Sequence, residues 1–79
     1  MIRELDRVVL HEDFPAEGLR TGDVGIVVMV HQGGKGFEVE FVALDGETIA
    51  VVTAHANQVR SIREREIARA RSVEIPLAA

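Results

Sequence analysis

Gly22-Asp23-Val24-Gly25 runs directly into five apolar residues, Ile26 to Val30, and Gly33-Gly34-Lys35-Gly36 follows shortly after. Glycines beside a lysine are the raw material of a phosphate loop, in which backbone N–H groups cradle the anion. That chemistry also needs a hydroxyl residue after the lysine and a helix behind the loop. Here Gly36 follows Lys35, and the next residues, Phe37-Glu38-Val39-Glu40-Phe41, alternate as a strand does. Gly22 and Gly25 lack the third glycine and the helix of a dinucleotide fingerprint. Both clusters read as structural: a mobile hairpin tip at Gly33–Gly36, a loop end at Gly22, and a sharp strand bend at Gly25.

Metal and nucleophile chemistry find equally little support. There is no cysteine, so a thiolate metal site and a disulfide framework are both excluded. His11-Glu12-Asp13 is a cluster in sequence only, because neighbours on an extended chain point apart. His31 and His55 stand at strand ends. The only serines are Ser61 and Ser72, neither in a glycine-flanked elbow. Thr21, Thr48 and Thr53 have no base at a recognisable spacing. Glu38 and Glu40 share one strand face about 7 Å apart; such a pair could do acid–base work, and a solvated sheet face accounts for it as well. The expectation is a non-enzymatic chain with no cofactor and no metal.

Arginine is the remaining candidate. The net charge is −4, unevenly placed. Residues 1–59 carry four basic against ten acidic groups, a net −6, whereas residues 60–79 carry five arginines against three glutamates, a net +2. An acidic body repels phosphates, and an arginine-rich tail attracts acidic surfaces. Arg60, Arg63, Arg65, Arg69 and Arg71 could contact nucleic acid. On a helix Arg65 and Arg69 would share a face, while Glu66 would pair with Arg63 or Arg69 and match part of the charge internally.

The elements that would position these groups are short strands. Asp6–Leu10 reads as a first strand, and His11–Asp23 as a polar connection with Pro15, Gly18 and Gly22 as its loop signals. Residues 24–31 read as a second strand, 37–41 as a third, 47–53 as a fourth and 59–62 as a last. Asp45-Gly46 is the dipeptide of a tight type I′ hairpin, and His55–Gln58 looks like one helical turn. With 47% apolar residues, many of them valine, and three phenylalanines as the sole aromatics, 79 residues make one small domain with an aliphatic core. No signal peptide opens the sequence and no apolar run approaches the ~20 residues of a membrane span, so a soluble cytoplasmic chain is expected.

Together these strands predict an all-β fold: a small five-stranded SH3-like (KOW-type) barrel over residues 1–62 with an arginine-rich helical or flexible extension over 63–79. The expected core is Val8, Leu10, Val24, Ile26, Val28, Val39, Phe41, Ile49, Val51 and Val59. Residues 63–75 favour helix by composition, but Ile67 and Ala70 make only a narrow stripe. The fourth strand is apolar on both faces, with Ile49 and Val51 on one and Ala50 and Val52 on the other. Val42 and Val27 add to that second face. A barrel has one inside, so the face of Val42 and Val52, with Arg60, Arg63, Arg65 and Arg69, is the expected binding surface.

Glu4–Leu10 (ELDRVVL), Gly22–Val28 (GDVGIVV), Glu38–Val42 (EVEFV), Leu44–Thr48 (LDGET) and Gln58–Arg60 (QVR) occur in that order. With these motifs the chain resembles, over about residues 2–62, the short bacterial proteins of the domain of unknown function 4926 family. The family is similar in layout to SH3-like and KOW-type barrels such as that of the nitrile hydratase β-subunit, and it carries no assigned catalytic residues. Members are often encoded beside other small proteins, which implies an antitoxin-like or accessory role. Two readings follow. The first is a protein-binding module with a protein partner or a second copy, and the alternative is a KOW-like nucleic-acid binder acting through the arginine segment.

Overall fold

The computed structural model describes residues 1–74. Strands β1 (Arg7–Leu10), β2 (Val24–His31), β3 (Gly36–Val42), β4 (Thr48–His55) and β5 (Val59–Ser61) form one antiparallel sheet in the order β4-β3-β2-β1-β5. Two single 3-10 turns, Pro15–Glu17 and Ala56–Gln58, lie in the connections. The second stands where a helical turn is expected. The sheet is not closed: β4 and β5 are its two edges, with no ladder between them. The described chain is therefore all-β without the closed barrel that the strand count suggests. No helix among the described residues is long and apolar enough to cross a membrane.

Register decides which residues are inside. Val39, in the middle of β3, pairs directly with Val27 on one side and Val52 on the other. Directly paired residues share a face, so Val27 and Val52 lie with Val39 in the core. Phe37 pairs with Val30 and Ala54, and Phe41 with Ala50, extending the same face. Val8, Leu10 and Val59 close it from β1 and β5.

Two bulges reset the alternation. Between Val27 and Met29 the β2–β3 register slips by one residue. Val28 is the inserted residue, and it turns outward beside Met29. Near Phe41 the β3–β4 register slips again, and Ile49 and Ala50 both pack against the core. Val24, Val28 and Val51, expected inside, alternate with the inward Val27 and Val52 and are exposed, and Ile26 is only half-buried. Val8, Leu10, Val39, Phe41 and Val59 are buried as expected.

The hairpin after β3 also differs from expectation. Ala43 N–H donates to the Glu47 carbonyl at 2.7 Å and Gly46 N–H to the Ala43 carbonyl at 2.9 Å. Gly46 has φ +95°, but Asp45 is not left-handed. A type I′ turn needs both, so this is a three-residue loop with glycine in the left-handed place.

Leu19 is buried although it lies in the polar connection. Phe14 and Leu19 bridge each other through 2.9 and 3.0 Å backbone bonds. Asp13 clasps the same loop, accepting from Thr21 N–H at 2.8 Å and Thr21 Oγ1 at 3.0 Å.

Residues 62–74 contain neither helix nor strand, so the expected helix is absent from the described residues; 75–79 lie outside them. Ile67, the best apolar anchor of such a helix, is 93% exposed. With no stripe to bury, a helix of this length has only its marginal intrinsic stability. Ion pairs hold the segment instead.

Candidate functional site

The face of β2, β3 and β4 turned away from the core combines exposed apolar groups with carboxylates. The pairing rows Arg7–Ile26–Glu40–Val51 and Met29–Glu38–Thr53 cross it. Val28, Met29, Val42 and Val51 are 40%, 49%, 39% and 54% exposed. Of the two valines expected on the binding surface, Val42 is on this outer face. Val52 is not: it is 6% exposed and belongs to the core, because its pairing with Val39 turns it inward. The apolar surface exists, but Val51 rather than Val52 supplies it from β4.

Glu38 and Glu40 stand in the middle of that face, each held by its neighbours. His31 Nε2 lies 2.7 Å from Glu38 Oε2, and Thr53 Oγ1 donates to both Glu38 oxygens at 2.9 and 2.8 Å. Thr48 Oγ1 donates to Glu40 Oε2 at 2.8 Å. The bonds from His31 and then Thr53 hold the Glu38 carboxyl below the usual glutamate range. A general acid needs the opposite shift. Among the described residues no three His, Asp or Glu side chains converge as metal ligands.

Two of the arginines, Arg60 and Arg71, are paired with carboxylates of the chain itself. Arg60 makes a two-pronged pair with Glu66, Nη1 to Oε1 at 2.9 Å and Nη2 to Oε2 at 2.7 Å. The Arg63 N–H also donates to Glu66 Oε1, at 2.6 Å. Arg60 first, and then the Arg63 amide, lower the Glu66 carboxyl to about 2. Arg65 is exposed and left-handed at φ +63°, and Arg69 is exposed. Without a helix, their spacing of four residues no longer places Arg65 and Arg69 on one face.

Arg71, one of the basic set but not of the expected binding surface, is held within the chain. It pairs with Asp23, Nε to Oδ1 at 2.9 Å and Nη2 to Oδ2, and Nη2 also donates to the Gly18 carbonyl at 3.1 Å. The partners are 48 residues apart, and no sequence pattern signals the contact.

A family model described as a domain of unknown function, DUF4926, matches residues 4–61. The chain belongs to the DUF4926 family. The match covers the whole sheet and ends at the last residue of β5, so the segment carrying Arg63 to Arg71 lies beyond the matched DUF4926 region. Neither a curated protein nor a solved structure matches the chain.

Proposed function

We propose that this DUF4926 chain is a non-enzymatic, SH3-like protein-binding module that docks a partner protein on the outer face of β2–β4. The observation that carries this reading is the group of exposed apolar side chains, Val28, Met29, Val42 and Val51, flanking Glu38 and Glu40. Apolar groups left open on a sheet face are costly unless something covers them, and such patches characteristically mark protein contacts. The carboxylates supply the polar, orienting part of the contact. An accessory or antitoxin-like role in a bacterial cytoplasm is the biological setting that the family resemblance implies.

The nucleic-acid reading through Arg60, Arg63, Arg65 and Arg69 is less favoured. Arg60 is neutralised by Glu66, and the outer sheet face carries carboxylates that repel phosphate. The test is affinity capture from the native host with the full chain and with Val51→Asp and Arg65→Ala/Arg69→Ala variants. A partner lost with Val51→Asp and retained by the arginine variant is the expected result. Salt-sensitive RNA or DNA binding lost with the arginine variant would reverse the choice.

A further inference from the structure

We propose that the Gly18–Asp23 loop is a recognition site for an extended, arginine-containing peptide, occupied in the resting chain by its own Arg71-Ser72-Val73 segment. The site is separate from the outer face of β2–β4, and the inference stands whether or not that face docks a partner.

Three acceptors meet the Arg71 guanidinium: both oxygens of Asp23 and the Gly18 carbonyl. A planar guanidinium fills such a fork, whereas a lysine ammonium reaches it as a point charge. The acceptors are fixed by the loop itself. Asp23 Oδ2 accepts the Arg20 N–H at 2.8 Å, Asp23 N–H donates to the Arg20 carbonyl at 3.0 Å, and the Asp23 carbonyl accepts from Leu10 N–H at 2.9 Å. Gly18 N–H donates to the Pro15 carbonyl at 3.1 Å. Leu19, buried in the core, anchors the loop between these two residues.

The loop also has a floor for peptide backbone. Gly18 is left-handed at φ +72°, and a β-carbon there would sit 2.5 Å from the Glu74 carbonyl oxygen and 3.4 Å from Val73 Cγ1. Only glycine lets the segment lie this close. The stretch that leads to the occupant lies open to solvent. Residues 62–74 make no strand or helix, and residues 61–70 are exposed. The acceptors fall within the matched family region, residues 4–61, and the occupant falls outside it. The ligand class follows from the occupant: an extended peptide with arginine followed two residues later by a branched apolar side chain.

The experiment uses the full chain with Arg71→Glu, in which repulsion from Asp23 releases the segment. The probe is a labelled peptide of residues 67–74, Ile-Ala-Arg-Ala-Arg-Ser-Val-Glu, followed by fluorescence anisotropy. The expected result is binding at least about tenfold tighter to Arg71→Glu than to the unsubstituted chain. That binding should be lost on adding Asp23→Asn, which keeps the acceptor for Arg20 N–H but removes the charge. It should also be lost when the peptide arginine standing for Arg71 is replaced by alanine. Equal binding to both chains, no binding to a folded Arg71→Glu chain, or indifference to the peptide arginine would overturn the proposal. Should Arg71→Glu not fold, titration of the unsubstituted chain with peptide at mM concentration, the effective concentration of a tethered segment, decides instead. Shifts of the Gly18 and Asp23 amide resonances support the site, and their absence overturns it.

Discussion

Gly25 lies beneath the Phe41 ring, so close that a β-carbon on it would sit 2.8 Å from Cε2 and 2.9 Å from Cζ, and 2.5 Å from Val39 Cγ1. The ring occupies the space that any other residue of β2 would fill. Gly25 is thus a packing requirement of the core rather than part of a phosphate loop. Gly25→Ala should cost about 1–3 kcal/mol through overpacking, and Gly25→Val more. Urea denaturation checks this: the midpoint should fall for alanine and fall further for valine. An unchanged midpoint would mean that Phe41 repacks freely.

Val51 and Val52 are neighbours in β4 with opposite surroundings, one 54% and the other 6% exposed. Val52→Asp should unfold the chain. It places an unpaired carboxylate between Val39 and the core, a cost of several kcal/mol, against the about 5–15 kcal/mol total stability of a typical domain. Val51→Asp should leave the thermal midpoint within a few degrees of the starting chain. Circular dichroism melts of the two variants distinguish them directly, and a folded Val52→Asp chain would contradict the assigned β3–β4 register.

The strands were legible because β3 alternates cleanly: Phe37, Val39 and Phe41 inward, Glu38 and Glu40 outward. The faces of β2 and β4 were not. In the runs Val24–Val30 and Ile49–Val52 nearly every residue is apolar, so period two has no phase until a partner strand supplies it. Val39 supplies it by selecting Val27 and Val52, and the two bulges then turn Met29 outward and Ile49 inward. Leu19 was hidden by its polar surroundings, although Phe14 and Leu19 are the large apolar residues of that connection. The tail was misread because composition favours helix while its contacts are ionic and non-helical. Arg60 and Glu66 are six residues apart, a spacing that no helix brings together.

The Arg60–Glu66 clasp should respond to acid in a defined direction. The folded chain holds the Glu66 carboxyl at about 2, below its ordinary value of 4.5. The ionised form is therefore the one the fold favours. Its contribution is present above about 4.5 and is lost as pH falls toward about 2. NMR titration of the Glu66 side-chain carboxyl carbon should give a midpoint near the lower value, moving up toward 4.5 in Arg60→Ala. A midpoint already at 4.5 in the unsubstituted chain would show that the clasp does not form in solution.

Leu19 links the core to the loop that holds Arg71. Its side chain is buried with Val8, Leu10 and Val59, while the residues around it present the Gly18 carbonyl and the Asp23 carboxylate outward. Leu19→Ala should therefore act twice. It should cost about 2–5 kcal/mol of stability, as truncation of a buried leucine does. It should also loosen the acceptor geometry, because the loop would keep its Asp13–Thr21 clasp but lose its apolar anchor. The second effect is readable at low temperature, where the variant remains folded. The Arg71 Nε–H resonance should broaden or move toward its free position, whereas in Val52→Ala, a similarly buried truncation on the far edge strand β4, it should stay in place. Equal changes in both variants would mean that Arg71 reports only on global stability, and that the loop is not held in shape by Leu19.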